Sequence, residues 1–141
     1  MVDISKVLPY VDVKMNKTEL VQLNPLVLAF VGDSVQQLAV RTSLAFSSTA
    51  KAGELHKIAT GEIKATTQAK RLDKIMEYLT AEEMDIFKRT RNTKMNTTAK
   101  NASLAEYRKA SGLEALFGYL YLAGERTRLL ELINIMQEDE L

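Results

Sequence analysis

The 141-residue chain contains no cysteine and a single histidine, His56. These absences exclude disulfides, thiolate nucleophiles, zinc–thiolate centres and any site built on a histidine pair. A cysteine-free chain is also expected in the cytoplasm. No apolar run is long enough to span a bilayer. The N-terminal "MVDISKVLPYVDVKMNKTEL" carries Asp3, Lys6, Asp12 and Lys14 where a signal peptide would need its apolar core, so no membrane partner is expected. Proline is scarce, at Pro9 and Pro25 alone, and β-branched runs are few. With abundant Ala, Leu, Glu, Lys, Gln and Met, this favours helix throughout.

What is present is an ordinary globular composition, 46% hydrophobic and 26% charged, too apolar for a disordered chain. The length suits one domain. A net charge of +1 is uninformative as a sum, but its distribution is not. Between Lys88 and Lys109 lie Lys88, Arg89, Arg91, Lys94, Lys100, Arg108 and Lys109 against one acid, Glu106, whereas the tail "QEDEL" is acidic. A basic patch in a neutral protein points to a polyanionic partner.

The pattern predicts an all-α domain over residues 24–136, a helical bundle of about five to seven helices, between a lead-in (1–23) and an acidic tail (137–141). Asn24 followed by Pro25 is a helix start, and that helix should run to about Leu44. A helical stretch follows to Leu79, either one long helix or two with a break near Gly61. Thr80 with Glu83, and Ser103 with Glu106, are capping boxes opening two further helices, the second ending at Gly124. A last amphipathic helix occupies "ERTRLLELINIM".

Two acids stand out because their surroundings are apolar. In "NPLVLAFVGDSVQQLAV", Leu28, Val31, Val35 and Leu38 form the expected core stripe. Asp33 falls opposite, among Leu26, Ala29, Phe30, Gln37 and Val40, so the helix reads as apolar on both sides and central to the fold. In "GLEALFGYLYLAG", Glu114 is the only acid of a helix that reads as buried all round. Glycine inside a helix costs about 1 kcal/mol, so Gly32 and Gly118 imply two backbones in close approach. If they cross there, Asp33 meets Glu114. Two sheltered carboxylates either raise a pKa or take a divalent cation, and oxygen-only ligation suits Mg²⁺ or Mn²⁺. The alternative is that each acid is paired with a Lys, an Arg or a backbone donor.

Several ordered motifs together resemble the mini-ribonuclease III branch of the ribonuclease III domain family: Gly32-Asp33-Ser34, Leu55-His56, Arg91-Asn92-Thr93-Lys94, Lys100-Asn101, Tyr107-Arg108 and Glu114-Ala115-Leu116-Phe117-Gly118-Tyr119-Leu120. The likeness spans Leu23 to Ile133. It implies a homodimeric, Mg²⁺-dependent endonuclease that cleaves double-stranded RNA, leaves 5′-phosphate and 3′-hydroxyl ends, and matures the 23S ribosomal RNA precursor. It also implies that a separate double-stranded-RNA-binding domain is absent, none being expected after Leu141, and that a ribosomal protein is a candidate partner. Asp33 and Glu114 align with the family's catalytic metal-binding acids. Where larger enzymes of the family carry further acids this chain has Leu26, Ala29 and Ser111, and Gln37 stands where many relatives have Glu. A non-catalytic helical dimer that binds RNA or protein is the rival reading.

Without an RNA-binding domain, affinity must come from phosphate neutralisation by the catalytic domain itself. Lys88, Arg89, Arg91, Lys94 and Lys100 are the candidate cations, with Asn92 and Asn101 as sugar or phosphate contacts; Arg108 is a further candidate. Lys57, Lys64 and Arg71 recur every seven residues and read as an exposed helix face. His56 reads as a structural or polar contact, and Tyr107, Tyr119 and Tyr121 as core or dimer contacts.

Overall fold

A computed structural model describes residues 14–47, 49–93 and 103–137. Among them are seven α-helices: α1 (Lys17–Leu20), α2 (Pro25–Ser47), α3 (Ala52–Ile63), α4 (Ala65–Ile75), α5 (Ala81–Arg91), α6 (Leu104–Leu122) and α7 (Arg126–Gln137), with a 3₁₀ turn, Met76–Tyr78, after α4. The described residues contain no strand, as an all-α reading requires.

Local chemistry sets most of the boundaries. The Asn24 side chain accepts from the Leu26 N–H at 2.9 Å, opening α2 at Pro25. Both capping boxes form, Thr80 with Glu83 on α5 and Ser103 with Glu106 on α6. α6 ends at Gly124, whose φ of +73° suits glycine; its N–H donates to the Tyr121 carbonyl and that of Glu125 to Leu120, the Schellman pattern. Two boundaries differ from expectation. α2 continues to Ser47, and the chain breaks at Lys64, which is extended (φ −66°, ψ 152°), rather than at Gly61. The break is stabilised from beyond it: Thr67 Oγ1 donates to the Gly61 carbonyl and Gln68 Nε2 to that of Glu62, satisfying acceptors a helix end would otherwise leave free.

α6 is the central helix, with buried residues from Ala110 to Leu120 on every side but that of Glu114. Helices α2, α4, α5 and α7 pack around it. The core comprises Leu28 and Ala29 of α2, Leu72 and Ile75 of α4, Ile86 and Phe87 of α5, Leu113, Leu116, Phe117 and Leu120 of α6, and Leu129 and Leu132 of α7. Glu83, 4% exposed, is held in this frame by two hydrogen bonds from Arg128, whose Nη2 also donates to the Tyr78 carbonyl.

The reading of α2 is corrected in one respect. Its buried side runs through Leu28, Ala29, Gly32, Gln36 and Val40, not along Leu28, Val31, Val35 and Leu38. Leu38 is 50% exposed, and Phe30, assigned to a second sheltered face, is 78% exposed. With apolar residues on both faces, hydrophobicity does not choose between them. The helix turns the side bearing Gly32 inward because only glycine allows the approach to α6.

Candidate active site

The α2–α6 crossing builds the site from two glycines. A Cβ on Gly32 would lie 1.6 Å from the Glu114 carbonyl oxygen, and one on Gly118 would lie 2.0 Å from that of Leu28. No side chain fits either position, so the two backbones are in direct contact. Asp33 follows Gly32, and Glu114 lies one turn before Gly118. The crossing therefore brings the two acids together, as their spacing from the glycines implied.

Both acids are partly buried. The Glu114 carboxyl is pushed up to about 8, first by burial and then by the negative charge of Asp33 beside it. Gln37, one turn along α2, donates from Nε2 to Asp33 Oδ2 at 3.1 Å. Among the described residues, neither acid has a Lys or Arg within ion-pair distance. Within the described residues the two acids thus face each other and the Gln37 amide rather than a Lys or Arg. Two carboxylates with no counter-charge among the described residues, offering oxygen alone, fit a hard divalent cation that keeps several waters. The described residues contain no cluster of three or more His, Cys, Asp or Glu that would bind an ion without such waters.

Other candidate residues fall elsewhere. Ser111 is buried, one turn before Glu114 on α6. His56 and Lys57 are exposed on α3, and His56 lines a cleft with Arg41, Leu44, Ala52, Leu55 and Ala59 that includes neither acid. At the end of α5, Lys88 and Asn92 are exposed. Arg91 lies over the Phe87 ring, 5.7 Å from its centroid, and donates from Nε to Asn92 Oδ1. Arg89 instead donates to the Val21 carbonyl at 3.0 Å, tying α5 to the turn after α1. Phe87 also abuts Gly112 of α6. Arg108, one turn before Gly112, is half-buried with its Nε enclosed and without a hydrogen-bond partner. Lys94, Lys100 and Asn101 lie outside the described residues.

A model of the ribonuclease III domain matches residues 26–125, a span that includes both acids. The chain is 43% identical over 124 residues to mini-ribonuclease 3 of Clostridium tetani, covering 87% of this chain and 82% of that protein. It is 44% identical over 114 residues to mini-ribonuclease 3 of Staphylococcus aureus, covering 79% and 85%. The chain belongs to the mini-ribonuclease III family. A crystal structure of a Fusobacterium nucleatum protein shares the fold, with a TM-score of 0.74 at 30% identity over 81% of this chain and 91% of that one.

The juxtaposition of Asp33 and Glu114 was readable from the spacing of each acid to its neighbouring glycine. The Gln37 contact was not assigned in advance, although its signal was available: residues four apart share a helix face, and an amide there can reach an acid. The Arg91–Phe87 contact has the same four-residue spacing and was legible on the same ground.

Proposed function

We propose that this protein is a Mg²⁺-dependent endoribonuclease that cleaves double-stranded RNA to leave 5′-phosphate and 3′-hydroxyl ends, acting in the cytoplasm on the precursor of 23S ribosomal RNA. The observation that carries the proposal is the pair of sheltered carboxylates, Asp33 and Glu114, brought together by a glycine–glycine crossing with no Lys or Arg partner among the described residues. These two residues would hold Mg²⁺, with Mn²⁺ as a substitute. A bound ion supplies Lewis-acid polarisation of the scissile phosphoryl group.

The remaining chemistry belongs to the protein. Near neutral pH and without a cation, Glu114 retains its proton, because burial and Asp33 both disfavour its charged form. Binding a cation therefore requires Glu114 to release that proton, which couples ion affinity to pH. Arg91, Lys88 and Asn92 at the end of α5, with Arg108 of α6, supply phosphate and sugar contacts, and Lys94, Lys100 and Asn101 are further candidates for such contacts. A-form RNA presents shape and 2′-hydroxyls rather than a readable major groove, so recognition depends on duplex geometry more than on sequence.

The exposed apolar residues Val27, Phe30 and Leu38 recur at helical spacing along the outer side of α2. They form the face on which a second copy packs. Two-fold symmetry then repeats the site, one for each RNA strand. A ribosomal protein that reshapes the substrate is a further partner of this reading.

The test uses a perfectly paired, end-labelled RNA duplex with purified protein in Mg²⁺ or in EDTA. Cutting in Mg²⁺ alone, with products that accept a 3′ ligation adaptor directly, is the expected result. Binding without cutting in either buffer would establish the rival, non-catalytic reading.

A further inference from the structure

We infer that Gln37 is a positioning residue for Asp33: its side-chain amide fixes one carboxylate oxygen and adds no charge of its own to the pair, which suits the site to a divalent cation. This inference rests on the reading of Asp33 and Glu114 as a cation site.

The geometry is direct. Gln37 lies one turn beyond Asp33 on the same face of α2, and its Nε2 donates to Asp33 Oδ2 at 3.1 Å. Rotation about the last bond of an aspartate side chain is soft, so a carboxylate without a partner samples a wide range of orientations. One hydrogen bond from a helix-anchored amide narrows that range. Oδ2 keeps further acceptor capacity, and Oδ1 has no hydrogen-bond partner among the described residues. The carboxylate is thus oriented without being consumed.

Chemistry decides why an amide serves here. A Lys or Arg at position 37 would also donate to Asp33, but its positive charge would occupy the place of the cation. A Glu would add a third negative charge beside two acids that already repel. A Met would keep the volume and lose the donor. Glutamine alone among these donates a hydrogen bond and leaves the charge of the pair unchanged. The arrangement is that of an outer-shell donor orienting a metal-binding carboxylate, a role whose loss typically weakens ion affinity by about 10- to 100-fold.

The test compares wild type, Gln37→Met, Gln37→Lys and Asp33→Asn for Mn²⁺ binding by calorimetry without RNA, and for duplex RNA affinity in EDTA. Gln37→Met should weaken Mn²⁺ binding by about 10-fold and leave RNA affinity unchanged. Gln37→Lys keeps a donor but brings a positive charge to the cation's place, so it should weaken Mn²⁺ binding at least as much. An unchanged Mn²⁺ affinity in Gln37→Met, or a parallel fall in RNA affinity, overturns the inference. So does unchanged Mn²⁺ binding in Gln37→Lys, which keeps the question answerable if the Met variant fails to fold. A wild-type protein that binds no Mn²⁺ overturns the underlying site reading instead, a result distinct from failure of Gln37 alone.

Discussion

Glu114→Gln should stabilise the ion-free protein, and only above mildly acidic pH. The Glu114 carboxyl is held at about 8 in the folded chain, against an ordinary value of 4.5 once unfolded. Between these values the folded state retains a proton that the unfolded state has released, so stability falls as pH rises. The cost is absent below about 4.5, grows through neutrality and levels off above 8. At 1.36 kcal/mol per pH unit its ceiling is roughly 5 kcal/mol. Glu114 is not fully enclosed. Water therefore screens part of this penalty, and about 2–3 kcal/mol is the expected net effect. That corresponds to a difference in melting temperature on the order of 5–10 °C for a domain of this size. The assay is urea unfolding of wild type and Glu114→Gln in EDTA at pH 5 and pH 8.5. The two should nearly coincide at pH 5, with the variant the more stable at pH 8.5. Mg²⁺ should then raise the stability of wild type selectively, because it binds the folded site. Curves that track one another at both pH values, or a variant that is less stable at pH 8.5, would refute the burial and charge coupling assigned to this carboxyl.

Three other outcomes follow from the packing. Gly32→Ala places a methyl against the Glu114 carbonyl and should cost at least about 3 kcal/mol, whereas Gly61→Ala, which meets nothing within 4 Å, should be neutral or stabilising by up to about 1 kcal/mol; paired denaturation curves test the contrast. Arg128→Met leaves the buried Glu83 without its two charged hydrogen bonds and should destabilise by about 3 kcal/mol. Burial alone would raise the Glu83 carboxyl, but Arg128 and the Thr80 cap together hold it below its ordinary value. Its contribution is therefore present above about pH 4.5 and lost as pH falls further, and the cost of Arg128→Met should shrink in acid. Phe30→Glu on the outer face of α2 should yield a folded monomer by sedimentation, and a dimer of unchanged stability would remove that face from the interface.

The legibility of this fold was uneven for physical reasons. Helix starts were readable because the capping residues act locally: Asn24, Thr80 and Ser103 each satisfy N–H groups two or three residues away. The α2–α6 crossing was readable because Gly32 and Gly118 are costly inside helices unless another backbone needs the space. The break at Lys64 was not readable, since no Gly or Pro marks it and the stabilising donors, Thr67 and Gln68, come from the following helix. The rotation of α2 was misread because both of its faces are apolar, and hydrophobicity does not say which of them turns to the core. Gln36 and Gln68 illustrate a further limit. They are buried side chains hydrogen-bonded to each other across α2 and α4 at 3.2 Å, a pairing that follows only from the tertiary arrangement. The basic segment was visible as composition, but its members divide on folding: Arg89 joins α5 to the α1 turn, while Lys88 is exposed on the surface.

The central claim is that Asp33 and Glu114 act as one unit in cutting duplex RNA. Its most direct test is the Mg²⁺-dependent cleavage rate of wild type, Asp33→Asn, Glu114→Gln and the double variant, each first shown to be folded and to bind the duplex. The predicted result is loss of cleavage in either single variant, with retained binding and no further loss in the double variant, as expected of residues that function together. Substantial cleavage by either single variant would contradict the claim.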